Sequence, residues 1–94
     1  MLGGFGAAKP ADDEVKKVVN ETKADVEKKL GTTFNVFEPV CYKTQVVAGI
    51  NYLVKIKVDG DKYVHAKIYQ PLPNSGKPRQ VLSASANHGK DDNL

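Results

Sequence analysis

Residues 51–69 read NYLVKIKVDGDKYVHAKIY, and this stretch decides the predicted fold. Apolar side chains occupy every second position on both sides of a polar centre, at Tyr52, Val54, Ile56, Val58, Val64, Ala66 and Ile68. The centre, Asp59-Gly60-Asp61, has the composition of a tight turn. Alternation with a period of two on both sides of such a turn predicts an antiparallel β-hairpin with one apolar face.

The segment before this hairpin predicts one amphipathic helix at about residues 12–30. Asp12 is a suitable N-cap, and Gly31 is a suitable residue just after a helix. Apolar or small side chains recur between them at helical spacing, at Val15, Val18, Val19, Thr22, Val26 and Leu30. Such a stripe needs an apolar partner, and the apolar face of the hairpin supplies one.

Two further strands are predicted, one on each side of the hairpin. Alternation begins at Phe34 and continues to Val46, but Pro39 interrupts it with a bulge or an edge position, because proline cannot donate to a ladder. A last strand is expected from about Arg79 to Ser85, after a loop at 71–78. Short connections favour antiparallel neighbours.

The expected fold is therefore α+β, with an antiparallel meander of four to five strands wrapped around one N-terminal α-helix. The 94 residues suit a single domain covering residues 1–94. Within it, the small residues at 1–11 are expected to form a flexible arm, and residues 87–94 a polar C-terminal tail.

A meander places alternate connections at the same end of its sheet, because its strands alternate in direction. The connection at 46–50 and the loop at 71–78 should therefore lie side by side, with the 59–61 turn at the other end. The first contains Val46 and Val47 and the second contains Leu72, whereas turns normally favour Gly, Asn and Asp. Exposed apolar side chains at one edge are typical of a contact surface. The alternative is that the two valines belong to a buried strand and the chain reverses elsewhere.

The composition excludes several classes of protein. Apolar residues make up 40% of the chain and charged residues 27%, which is an ordinary globular balance. The net charge of +3 is too small to indicate nucleic-acid binding without a clustered patch. No apolar run is long enough for a membrane span, and no secretory signal is expected at the start. With one cysteine, Cys41, no intramolecular disulfide can form, and the cytoplasm is the expected compartment.

Catalysis and metal binding are not expected. Cys41 together with His65 or His88 could suggest a cysteine enzyme, but no nucleophile motif surrounds the cysteine. One cysteine and two histidines at these spacings do not form a metal site. No glycine loop of the phosphate-binding type is present, so no cofactor is expected.

The face of the sheet opposite the helix carries Lys55, Lys57, Lys67, Tyr63 and Tyr69. These side chains could bind nucleic acid or an acidic protein surface, but a solvated sheet face is the favoured interpretation.

Several short motifs of the chain resemble motifs of the cystatin family. Gln45-Val46-Val47-Ala48-Gly49 matches its QxVxG signature, and Leu72-Pro73 matches its second hairpin loop. Lys9-Pro10-Ala11 matches the approach to its helix, and Gly3-Gly4 falls near its N-terminal glycine. Within the family the chain is similar to the stefins, the type 1 cystatins, since it has neither a disulfide pair nor a tryptophan.

The resemblance implies a tight, reversible inhibitor of papain-like cysteine proteases, including cathepsins, and not an enzyme. In the family, an N-terminal arm and two hairpin loops form a wedge that enters the active-site cleft. Carried over to this chain, the wedge comprises Leu2, Gly3, Gly4, Gln45, Val46, Val47, Ala48, Gly49, Leu72 and Pro73. The alternative is a non-inhibitory binding or scaffold protein with the same fold.

The chain is expected to be a monomer, with a domain-swapped dimer as the alternative. Two β-branched valines in a turn would be strained, and a strained hinge favours the exchange of halves between copies.

Overall fold

One α-helix and a five-stranded antiparallel sheet make up the fold, in a computed structural model that describes residues 6–72, 76–90, 92 and 94. The elements are β1 Lys9–Pro10, α1 Asp13–Leu30, β2 Phe37–Val47, β3 Gly49–Val58, a 3-10 turn Asp59–Asp61, β4 Lys62–Gln70 and β5 Gln80–His88. The strands follow one another across the sheet in chain order, which makes it a meander. The predicted α+β fold is confirmed.

The helix forms where the periodicity predicts it. The Asp12 side chain accepts a hydrogen bond from the Val15 backbone N–H at 2.9 Å, which satisfies one of the free donors at the helix start. The same carboxylate accepts the Tyr42 hydroxyl at 3.0 Å, and these two donors lower the pKa of Asp12. The cap therefore also ties the helix start to β2.

The apolar stripe of α1 packs against the apolar face of the sheet. The largest side chains with almost no exposure come from both layers: Val15, Val18, Val19, Val26, Val54, Ile56, Val64 and Ile68. Valines are poor helix formers, so this burial, worth roughly 1.5–3 kcal/mol per fully buried side chain, carries much of the helix stability.

The irregularity predicted around Pro39 is present in β2. The register with β3 shifts between Pro39 and Cys41, which leaves Val40 as the extra residue of a bulge. Val40 instead accepts a hydrogen bond from the Ala11 backbone N–H at 3.0 Å. Phe34 and Val36 precede the strand, which begins at Phe37.

Part of the segment predicted as a flexible arm, residues 1–11, pairs with the sheet. Lys9 and Pro10 form β1 and pair with Tyr42 and Cys41 of β2, and the Gly6 backbone N–H donates to Thr44 at 3.0 Å. Residues 6–11 therefore follow the edge of the sheet, because β2 would otherwise expose its unpaired backbone groups there. Residues 1–5 lie outside the described residues.

The sheet face turned away from α1, here called the outer face, is not simply solvated. Tyr63, Lys55 and His65 on this face are each only 8% exposed, so the solvated-face interpretation is wrong for them. Lys55 Nζ donates to the Lys90 carbonyl at 2.7 Å, and the His65 ring stacks on His88 with centroids 3.8 Å apart.

The end of β5 and the segment after it produce this cover. β5 continues to His88, beyond the predicted end at Ser85, and takes in the first two residues of the predicted tail. Beyond it, the Asp92 carboxylate accepts the Gly89 backbone N–H at 2.9 Å, and Lys43 Nζ donates to the Leu94 carbonyl at 3.4 Å. The chain thus turns back across the outer face.

Candidate functional site

The two unusual connections lie together, as the meander predicts. Val47 pairs with Gly49, which leaves Ala48 alone at the tip of the hairpin that joins β2 to β3. Ile50 pairs with Gln70, so this hairpin stands beside the point where β4 ends and the 71–78 loop begins. We call residues 45–51 the first hairpin and this end of the sheet the loop end.

Apolar side chains are exposed at the loop end. Val46 is 77% exposed, Leu72 49% and Val47 40%. The alternative of two buried strand valines is therefore excluded, although both valines do belong to β2. Apolar surface of this kind costs free energy in water unless a partner covers it.

A groove of about 450 Å³ runs between the first hairpin and the start of the second loop. Its apolar lining comes from Val46, Val47, Ile50, Tyr52, Pro71 and Leu72. Pro71 is buried, which anchors the second loop directly before the exposed Leu72. The groove therefore combines residues of both connections with Tyr52 of β3.

Charged side chains stand at the borders of this groove. Glu14, in the first turn of α1, accepts the Tyr52 hydroxyl at 3.3 Å. Burial, with a further contribution from the Glu14 carboxylate, raises the pKa of Tyr52 to about 12 and keeps its hydroxyl a donor. Arg79 lines the groove as well and forms an ion pair with Glu21 of the helix.

The close approach at the tip of the first hairpin requires glycine. Gly49 has φ 119°, and a Cβ built on it would lie 2.3 Å from the Gln70 carbonyl oxygen. No side chain can occupy that space, so the tip lies directly against the end of β4. At the base of the same hairpin, Asn51 Nδ2 donates to Gln45 Oε1 at 3.0 Å.

The backbone of the first hairpin does not carry the strain expected to favour a swapped dimer. The prediction rested on strain at Val46 and Val47, but both have strand pairings, and the positive φ of the hairpin falls on Gly49. β-branched residues fit a strand well. The strain premise is removed, and the dimer itself stays a prediction.

The structure brings together six of the ten residues that the sequence predicts for a binding site. Five are the residues 45–49 of the first hairpin, and the sixth is Leu72. Leu2, Gly3, Gly4 and Pro73 lie outside the described residues. From Pro10 back to Gly6, the contacts of the chain advance along β2 from Cys41 to Thr44, so residues 10 to 6 run along β2 toward the loop end.

Sequence reasoning missed several groove residues. Ile50, Glu14 and Arg79 come from β3, α1 and the loop before β5, and no short motif connects them. The alternation of Tyr52 placed it in the core, which is correct, but its contact with Glu14 depends on how the helix docks. No local signal in the sequence would have found this set.

Other chemistries have little support in the described part of the chain. Lys55 stands between Cys41 and His65 in the sheet register, so the thiol and the imidazole do not form a pair. Across residues 6–72, 76–90, 92 and 94, no three His, Cys, Asp or Glu side chains are grouped as a metal site. Within the same residues, α1 is too polar to cross a membrane.

Comparison with known proteins gives a consistent result. A family model described as a cystatin domain matches residues 3–91. Cystatin-A1 of Sus scrofa is 42% identical over 94 residues, which cover 100% of this chain and 91% of the relative. Leukocyte cysteine proteinase inhibitor 1 of Sus scrofa is 36% identical, with 100% of this chain and 91% of the relative covered. Stefin-C of Bos taurus is 38% identical over 93 residues, covering 99% and 92%.

Proposed function

The chain belongs to the cystatin family and resembles its stefins over its full length, and from this premise we propose that it inhibits papain-like cysteine proteases by inserting a wedge into their active-site cleft. The family consists of protease inhibitors and not of enzymes, so the prediction that the chain is not an enzyme is confirmed. The target class and the wedge are the proposal.

One observation carries the proposal: Val46, Val47 and Leu72 are exposed together around one groove at the loop end. The cleft of a papain-like protease has apolar subsites on either side of a Cys–His pair. Side chains such as valine lose little rotamer freedom when they dock, and burying each contributes roughly 1.5–3 kcal/mol before association costs. The loop end therefore has the surface that such a cleft would bury.

Two more segments complete the proposed wedge. Leu2, Gly3 and Gly4 would occupy the substrate-like side of the cleft, and the run of residues 10 to 6 along β2 toward the loop end supports this role. Pro73 would stiffen the second loop next to Leu72. None of these segments would form a covalent bond with the catalytic thiolate, so binding would be reversible.

The cytoplasm is the compartment we propose for this inhibitor. Cys41 is a free thiol, and a reducing environment keeps such thiols free. A monomer is the proposed state, because the three segments of the wedge come from one copy.

Titration of papain with the protein, followed with a fluorogenic peptide substrate, tests the function. We expect stoichiometric, reversible inhibition of papain, and none of a serine protease such as trypsin used as a control. If papain keeps full activity with micromolar protein present, the scaffold alternative replaces the proposal.

A further inference from the structure

Tyr69 connects the tip of the first hairpin to a strand that is not part of that hairpin. It lies on the outer face of β4, between Asn51 of β3 and Gln80 of β5. Its hydroxyl donates a hydrogen bond to the carbonyl oxygen of Ala48. Ala48 is the residue without a ladder partner, so this bond holds the tip where the strand pairing does not.

The Tyr69 ring also supports the tip by direct contact. A Cβ built on Gly49 would lie 3.0 Å from Tyr69 Cε1 and 3.1 Å from its hydroxyl oxygen. The ring therefore occupies the space beside Gly49 into which any other residue would project. The ring of Tyr69 can lie this close to the tip only because residue 49 has no side chain.

The tip needs such a contact because its own two strands hold it weakly. An isolated two-stranded hairpin is marginally stable in water, and Gly49 lies beyond the last pairing of β3 with β4, at Ile50. The hydrogen bond between Asn51 and Gln45 stabilises the base of the first hairpin but does not reach Ala48. Any ordering that the tip lacks before binding must be supplied at the moment of binding, at a cost to affinity.

We propose that Tyr69 is a positioning residue, whose hydroxyl holds the tip of the first hairpin in the orientation that presents Val46 and Val47 to a protease. Tyr69 lies on the outer face of β4, and Val46 and Val47 line the groove at the same tip. It acts through the hairpin, by its hydrogen bond to the Ala48 carbonyl. The consequence for inhibition rests on the proposed function.

Tyr69→Phe tests this role, because it removes the hydroxyl and keeps the ring. Tyr63→Phe is the matched control, since it makes the same change on the same face of β4, at the opposite end of the strand, where Tyr63 pairs with Lys57. Two quantities are measured for both variants and for the unmodified chain. The first is the ¹⁵N order parameter of residues 46–49, and the second is the inhibition constant for papain, divided into association and dissociation rates.

The loss of one hydrogen bond from a preorganised loop should raise the inhibition constant of Tyr69→Phe about 3- to 10-fold. The order parameters at 46–49 should fall in Tyr69→Phe alone, and Tyr63→Phe should match the unmodified chain in both measurements. A urea unfolding curve supplies the structural comparison, because a purely structural tyrosine would lower stability without changing inhibition by the native protein.

Two results overturn the proposal: unchanged order parameters in Tyr69→Phe, or a loosened tip with an unchanged inhibition constant. If the unmodified chain does not inhibit papain, the proposed function fails separately. In that case the order parameters still decide whether Tyr69 positions the tip.

Discussion

The two ends of the sheet differ in what they leave exposed: one end pairs its polar groups within the protein, and the other leaves apolar side chains in water. At the end with the 3-10 turn, here called the polar end, the Asp59 carboxylate accepts the backbone N–H groups of Asn35 and Val36, the first at 2.9 Å. At the loop end, Val46 and Leu72 are left in water. A turn whose carboxylate satisfies backbone donors of a neighbouring segment contributes to stability, whereas an end that exposes apolar surface gains from a partner.

The largest expected effect is on stability, and it appears when one glycine at each end of the sheet is replaced by alanine. Gly49→Ala should lower the free energy of unfolding by at least about 3 kcal/mol, because it combines a disallowed backbone conformation with a clash against a backbone carbonyl. Gly60→Ala should cost only about 1 kcal/mol, since Gly60 has φ 75° and nothing lies within 4 Å of an added Cβ. Urea denaturation measures both. Equal losses would show that the tip does not lie closely against β4.

The same substitution in two valines of similar exposure tests whether the loop end contributes to inhibition without contributing to stability. Val47→Asn should weaken papain inhibition about 10- to 100-fold, the value of burying one valine. Val36→Asn is the control, because Val36 is 43% exposed and lies near the polar end. Both variants should keep the unfolding midpoint within the error expected for surface positions. Equal inhibition constants for the two variants would contradict the assignment of the loop end.

Removing the carboxylate at the polar end should lower stability and leave inhibition unchanged. Asp59→Ala leaves the N–H groups of Asn35 and Val36 without their acceptor, and should lower the free energy of unfolding by about 1–2 kcal/mol. Asp59→Asn keeps one acceptor oxygen and should lose less. Inhibition of papain by the folded variants should be unchanged, and a large rise in the inhibition constant would mean that the two ends are coupled.

The smallest predicted effect concerns the middle of the outer face, which belongs to neither end. Burial lowers the pKa of His65 to about 4, and the charges of His88 and Lys55 act in the same direction, against a smaller opposite effect from Asp92. The ordinary pKa of histidine is near 6.5, so between these values the unfolded chain binds a proton that the folded chain does not.

Stability should therefore fall as the pH decreases from about 6.5 toward 4. Urea unfolding at pH 7 and pH 5 should differ by about 1 kcal/mol, and His65→Gln should show a smaller difference. The interval ends at pH 5 because ordinary carboxylates titrate below it. An identical pH dependence in both proteins would show that His65 is not protected by His88 and the segment that follows it.

Much of the fold follows from local patterns. The apolar stripe at Val15, Val18 and Val19 predicts α1, and the alternation around Gly60 predicts β3 and β4 with little error. The register shift at Pro39 also follows from local chemistry, since proline has no N–H to donate. These features depend on residues close together in the chain, where periodicity is informative.

The site is predicted only in part. The meander alone brings the first hairpin to Leu72, because strand direction is set by connection length. The role of Gly49 as a contact for β4, by contrast, depends on Gln70 and Tyr69, which come some twenty residues later in the chain. Alternation indicates that Tyr69 faces outward and does not indicate that its hydroxyl reaches Ala48.

The sequence by itself determines the order of the elements, which face of each is apolar, and the motifs that point to the cystatin family. Only the tertiary structure decides what covers the edges and the outer face. The pairing of Lys9 and Pro10 with β2, the stack of His65 on His88, and the contact of Tyr69 with the hairpin tip all join distant parts of the chain. Such contacts depend on the twist and docking of whole elements, and no local period encodes them.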